Sequence, residues 1–209
     1  MYSIPWRKLS VDIIGPYIVR IEACDDPIIL KFLTVIDLST GWFEMVQYNY
    51  KQSDTLANLV EQTWLCQYPR PTIIAYNRGN EFLGRAFKNN LIKNRYGIKA
   101  KCATTANPQV NSILEIIYQV ISNLVHMFDC QNNYLYNYDP WSGILLAMDF
   151  VVQITYHTNL PATPVQLVFG RNMISNTPFI ADWESIRTKM TNLKIKHLNC
   201  THIEYGVHY

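Results

Sequence analysis

The 209-residue sequence carries little charge: Asp, Glu, Lys and Arg make up 16% of it, and the formal net charge is +2. A protein that coats nucleic acid over its whole surface is far more basic, so any contact with phosphate must come from local patches. The five cysteines, at 24, 66, 102, 130 and 200, contain no CxxC pair. Nor do His126, His157, His197, His202 and His208 complete a zinc spacing with them. An odd set of scattered thiols argues against a disulfide framework and fits a reduced, intracellular protein. No basic and apolar leader opens the chain, and no apolar run is long enough to span a bilayer. A secreted or membrane-spanning protein is therefore not expected.

Hydrophobic residues reach 49% and aromatics 13%. That is enough to bury a core in one domain with an appendage, and too apolar for a disordered tail. Leu9 to Ile14 reads as a short apolar strand, interrupted by Asp12 and ended by Gly15-Pro16. Ile28 to Leu38 and Trp42 to Tyr48 read as two further strands, joined into a hairpin by Ser39-Thr40-Gly41. Ser53 is an N-cap candidate for a helix carrying Leu56, Leu59, Val60, Thr63 and Trp64, expected to stop near Tyr68-Pro69. Thr72 to Tyr76 is a fourth strand, Asn77-Arg78-Gly79-Asn80 a turn, and Glu81 to Tyr96 a helix closed by Gly97. A fifth, short strand runs from Ile98 to Cys102. Asn107 and Pro108 then give a strong helix start, with Ile113, Ile116, Ile117, Val120, Ile121 and Leu124 as its apolar face. Asp139-Pro140-Trp141 opens a helix to about Tyr156, Thr163-Pro164 a short one ending at Gly170, and the chain from Trp183 onward is polar and basic. The order β-β-β-α-β-α-β-α-α implies an α/β fold, a mixed sheet with helices on both faces.

Two acidic residues stand out because a carboxylate among apolar neighbours is costly unless it is paired or bound to a metal. Asp12, in Leu-Ser-Val-Asp-Ile-Ile-Gly-Pro, shares a strand face with Ser10 and Ile14 by alternation. It is either a strand-edge Asp bonded to a backbone amide or a ligand. Glu115 is flanked by Ile113, Leu114, Ile116 and Ile117, and is either on the solvent face of its helix or aimed back at the sheet. The Thr/Asn/Pro/Gln loop entering that helix offers donors and a positive dipole end to a phosphate.

Read together, these segments resemble the integrase catalytic core of gypsy-type retrotransposons. Trp6 to Tyr17 resembles the family's first catalytic block, and Phe32 to Glu44 its hairpin. Tyr76-Asn77-Arg78-Gly79-Asn80-Glu81-Phe82 resembles the second block, and Thr105-Ala-Asn107-Pro108-Gln109-Val-Asn111-Ser-Ile-Leu-Glu115 the third. Asp139 to Leu145 and Thr155 to Arg171 resemble the region that follows the core. The resemblance covers almost the whole chain, with its blocks in the family's order. It implies an RNase H-like fold with a five-stranded sheet over residues 1–135, a helical extension over 136–182 and a polar, basic tail over 183–209. It implies a catalytic and metal-binding triad at Asp12, Asn77 and Glu115, separated by 77 − 12 − 1 = 64 and 115 − 77 − 1 = 37 residues. The implied cofactor is Mg²⁺ or Mn²⁺, two ions in the active form, serving DNA integration by phosphodiester transfer. DNA is the implied partner, through Asn107, Gln109, Asn111, Lys99 and Lys101, together with a homo-oligomer and a nuclear location.

The sequence departs from the pattern where it matters most. Asn77 stands where the family has Asp, and its amide oxygen can coordinate a cation without neutralising it. Ile116 replaces a usual basic residue, and Tyr118 stands where His is common. Impaired activity is the expectation, with a catalytically silent nucleic-acid-binding relic or a host-recruited DNA-binding domain as the alternative. Because no His/Cys zinc module precedes the core and the tail breaks off, the expectation is a core fragment or a partial gene model.

Overall fold

The structure, a computed structural model, describes residues 4–19, 28–48, 53–76, 79, 82, 84, 87, 96–102, 118–123, 140–155, 162–175, 178, 180, 182, 184–185 and 188. Its centre is a five-stranded sheet in the order β3-β2-β1-β4-β5. The strands are β1 (Lys8–Val19), β2 (Ile28–Asp37), β3 (Phe43–Gln47), β4 (Ile73–Tyr76) and β5 (Lys99–Cys102). β1 pairs antiparallel with β2, setting Asp12 opposite Thr34, and β2 pairs antiparallel with β3. On its other side β1 pairs parallel with β4, Lys8 to Ile73 through Val11 to Tyr76, and β4 pairs parallel with β5. The antiparallel half can be closed by a tight turn, whereas the parallel half requires crossovers. The turn between β2 and β3 is built by Asp37, whose Oδ2 accepts from the Thr40 amide at 3.1 Å and the Thr40 hydroxyl at 2.8 Å. Gly41 follows at φ 73°, a conformation that suits glycine.

The Gly15-Pro16 pair does not end β1, contrary to the sequence expectation. Pairing with β2 continues past it, from Ile14↔Phe32 to Tyr17↔Leu30, with a bulge between. Proline has no amide hydrogen to give, and a bulge is where a strand can spare one. Gly15 sits at φ +100°, and a Cβ there would lie 2.7 Å from the Leu30 carbonyl oxygen. The other strands match their sequence limits to within a residue or two.

Strand alternation divides the core in two. One face sends Leu9, Val11, Leu33, Val35, Ile74 and Tyr76 against α1 (Ser53–Val60), the π turn Glu61–Leu65 that extends it, and α3 (Pro164–Phe169). The other face sends Ile14, Phe32, Ile36, Phe43 and Met45 against the helical residues 118–123 and α2 (Pro140–Ile154). The result is a three-layer sandwich, as expected. The π turn brings Trp64 and Leu65 inward together, and the helix stops at Leu65, just short of the expected Tyr68-Pro69. α3 begins as its sequence says: Thr163 Oγ1 accepts from the Gln166 amide, and the Thr163 amide donates to Gln166 Oε1. It ends at Gly170 in the left-handed conformation.

β3 lies at the sheet edge, where alternate backbone groups lack a strand partner. Two polar residues of the largely apolar α2 answer them. Gln153 Nε2 donates to the Phe43 carbonyl at 2.9 Å, and the Met45 amide donates to the Asp149 carboxyl group. Spaced i and i+4, both residues lie on one helix face and point at one strand. No helix among the described residues is long and apolar enough to cross a membrane.

Candidate functional site

Asp12 sits mid-strand on β1, with β2 and β4 on either side of that strand. It occupies the face expected from alternation, the one covered by residues 118–123 and α2. Its half-buried carboxylate accepts from the Ile13 amide at Oδ1, 2.9 Å, and from the Tyr118 hydroxyl at Oδ2, 3.0 Å. Across the ladder, Thr34 Oγ1 lies 3.2 Å from the Asp12 carbonyl oxygen and 3.3 Å from the Tyr118 phenol oxygen. Burial, and then the Asp12 charge beside it, hold the Tyr118 phenol far above its usual range, so it is a neutral donor at any ordinary pH. The backbone-amide bond suggested for a plain strand Asp is therefore present, with a second donor that alternation alone did not reveal.

Of the other sequence-predicted site residues, Asn77, Glu115, Asn107, Gln109 and Asn111 lie outside the described residues. The described chain neighbours of Asn77 and Glu115 fall close to Asp12. Tyr76, which precedes Asn77, is the register partner of Val11, which precedes Asp12. Tyr118, three residues after Glu115 in sequence, is the residue that reaches the Asp12 carboxylate. Lys99 and Lys101 are exposed on the outer strand β5. Ser10, Ala75 and Lys101 form one row across three strands, so Lys101 shares the face of Asp12, roughly 12 Å away, two strand spacings across and two residues along. Thr34 and Tyr118 were not singled out as site residues in the sequence. The only signal was Tyr118 standing at a position where the family pattern has a polar side chain that can donate.

A second acidic pair lies at the β3 edge. Glu44 Oε1 accepts from Trp42 Nε1 at 3.0 Å and from the Tyr68 hydroxyl. Burial raises its carboxyl, against the pull of these two donors. Asp149 is pushed up to about 8, first by burial and then by the Glu44 charge. This pair belongs to the packing of α2 on β3.

Among the described residues no three His, Cys, Asp or Glu side chains converge to hold a metal ion. Asp12 by itself fits a hard cation. It is an anionic oxygen donor, and each carboxylate oxygen has two acceptor directions.

No family model matches the sequence, and no curated protein matches it. The fold has solved counterparts. Over 86% of this chain and 60% of the other, the structure is similar to a chain of the simian T-cell lymphotropic virus intasome in complex with PP2A regulatory subunit B56 gamma, at TM-score 0.61 and 14% identity. It is also similar to the HTLV-2 integrase catalytic core domain in complex with magnesium. For the dimeric form, 78% of this chain and 96% of that one align at TM-score 0.53 and 14% identity. For the trimeric form, 79% and 98% align at TM-score 0.54 and 15% identity. This chain thus spans 60% of the intasome chain's length and nearly the full length of the isolated cores. The mixed five-stranded sheet flanked by helices is that of the RNase H-like integrase catalytic core, and at these identities the likeness is one of fold.

Proposed function

We propose that this chain is an integrase-type catalytic core of a gypsy-type retrotransposon, a polynucleotidyl transferase acting on DNA whose activity is impaired by Asn77. The observation that carries the reading is the position of Asp12. It stands at the centre of an RNase H-like sheet, next in line to the strand end that leads into Asn77, and is held by a side chain three residues past Glu115 in sequence.

Asp12, Glu115 and the Asn77 amide oxygen would hold Mg²⁺ or Mn²⁺. Two such ions, when bound, supply activation of the attacking oxygen and stabilisation of the leaving one. The residues themselves position and neutralise. Asp12 and Glu115 bring about −2 of charge where an intact triad brings −3. Exposed Lys99 and Lys101, on the outer strand, suit the phosphates of a DNA strand. Losing one anionic ligand is expected to cost at least the 10–100-fold that loss of an outer partner costs, about 1.4–2.7 kcal/mol.

The test is divalent-dependent nicking and strand transfer by the wild-type chain and Asn77→Asp. The variant is expected to bind metal more tightly and to gain activity of at least about tenfold, lost again on adding Asp12→Ala or Glu115→Ala. Activity that survives both of those changes is incompatible with the proposal. A chain that binds DNA yet stays silent with Asn77→Asp supports the second reading, a catalytically inactive DNA-binding domain, which Asn77 itself favours.

A further inference from the structure

We infer that Tyr118 is a positioning residue that fixes the plane of the Asp12 carboxylate for a divalent cation, an inference resting on the proposed role of Asp12 as a metal ligand. The terminal torsion of an aspartate is broad, so hydrogen-bond partners rather than a staggered well set the plane of its carboxylate. Ile13 fixes one oxygen from within the strand, at 2.9 Å. Tyr118 fixes the other, at 3.0 Å, from a different layer of the fold.

Counting hydrogens assigns the direction of each bond. An ionised carboxylate has none to give, so the single phenol hydrogen lies on Asp12 Oδ2. Thr34 Oγ1, 3.3 Å from the phenol oxygen and 3.2 Å from the Asp12 carbonyl, then shares its one hydrogen between the two acceptors in a three-centre bond. A phenol that accepts from Thr34 donates more strongly to Asp12. The chain Thr34 to Tyr118 to Asp12 begins and ends on a directly opposed cross-strand pair, so register and side-chain geometry brace each other.

The arrangement differs from mere packing in what it controls. Tyr118 carries both an apolar ring, packed against the cluster that includes Ile14, Phe32 and Ile121, and a hydroxyl directed at a charged group. The ring ties the helical layer to the sheet, and the hydroxyl sets how the carboxylate faces outward. Deleting the hydroxyl alone separates the two roles. Donors to a metal-binding side chain typically contribute 10–100-fold to metal affinity.

The experiment is calorimetric titration of Mn²⁺ into the full chain and its Tyr118→Phe, Tyr118→His, Thr34→Val and Asp12→Asn variants, each with and without Asn77→Asp. Tyr118→Phe is expected to weaken Mn²⁺ binding about 10–100-fold. Tyr118→His, which retains a ring N–H donor, is expected to recover part of the loss, and Asp12→Asn to abolish binding. Unchanged or tighter binding in Tyr118→Phe, with binding lost in Asp12→Asn, overturns the positioning role and leaves the metal site standing. Binding that survives Asp12→Asn, or that is absent in both backgrounds, removes the metal site and this inference with it. If Tyr118→Phe loses its far-ultraviolet circular dichroism, Thr34→Val, which keeps the phenol ring, decides: a several-fold weakening supports the relay and unchanged affinity refutes it.

Discussion

Asp149 shows how one side chain can set the pH response of the molecule. Burial and the neighbouring Glu44 raise its carboxyl from 3.8 to about 8, while the Met45 amide holds it in place. Below the unfolded value both states carry the proton. Between 3.8 and about 8 the folded state retains it and the unfolded state does not, so stability falls as pH rises, and levels off above the folded value. The span makes the loss on the order of a few kcal/mol. Glu44, raised in the same direction, adds to the slope. Asp149→Asn keeps an oxygen for the Met45 amide and removes the charge. It is expected to flatten the fall in Tm between pH 4 and 8 and to stabilise the protein most at alkaline pH. Thermal unfolding across that range is the measurement, and a slope as steep as that of the parent would exclude Asp149 as its source.

The residues of the candidate site were unequally legible. Asp12 stood out because a carboxylate among Leu, Val and Ile demands a reason, and its face followed from alternation. Thr34 did not, since a Thr inside an apolar run reads as ordinary strand. Only the register that sets it opposite Asp12 gives it meaning. Tyr118 read as a departure from a family pattern, yet the phenol reaches the very carboxylate that the pattern highlights.

At the scale of elements, the bulge in β1 is the clearest case of a local signal misread. Gly-Pro is a turn signal by sequence, and here it is the means by which one strand bends while keeping its partner. Gly15→Ala would place a Cβ 2.7 Å from the Leu30 carbonyl at a backbone angle of +100°. A loss of roughly 1–3 kcal/mol or more is expected in urea unfolding, and a neutral result would show that the bulge can shift. The α3 start was fully legible, because a capping box is local chemistry. Thr163→Ala should cost about 1 kcal/mol, read by the same unfolding curves. A change within error would mean that the packing of Val165 and Leu167, and not the cap, holds this short helix. Asp149 and Gln153 were passed over within an apolar stretch, although two polar residues at i and i+4 in such a helix are themselves a signal. What they serve is an edge strand a hundred residues earlier, and no local rule joins the two.

At the scale of the whole molecule, the sheet order places Lys99 and Lys101 on the outer strand, with Lys101 in the row next to Asp12. The net charge of +2 leaves little background attraction for DNA, so these lysines should matter individually. Lys99→Glu/Lys101→Glu is expected to weaken duplex binding uniformly across sequences. The log–log salt dependence should become shallower by about 0.9 for each phosphate that the variant no longer neutralises. Fluorescence anisotropy at several salt concentrations measures both, and an unaltered slope would place the DNA elsewhere.

The sequence by itself determined where the strands lie, apart from the end of β1, and which face of each is apolar, because strand alternation, caps and turns are set by residues within a few positions of one another. It also determined that Asp12 needed a partner or a cation, because the cost of burying a charge does not depend on where the neighbours come from. Only the tertiary structure decided what that partner is, how β1 continues through its proline, and why α2 carries Asp149 and Gln153. Each of these depends on strand register and layer packing between segments far apart in the chain, and such pairings are fixed by the collective burial of both sheet faces rather than by any short stretch of sequence.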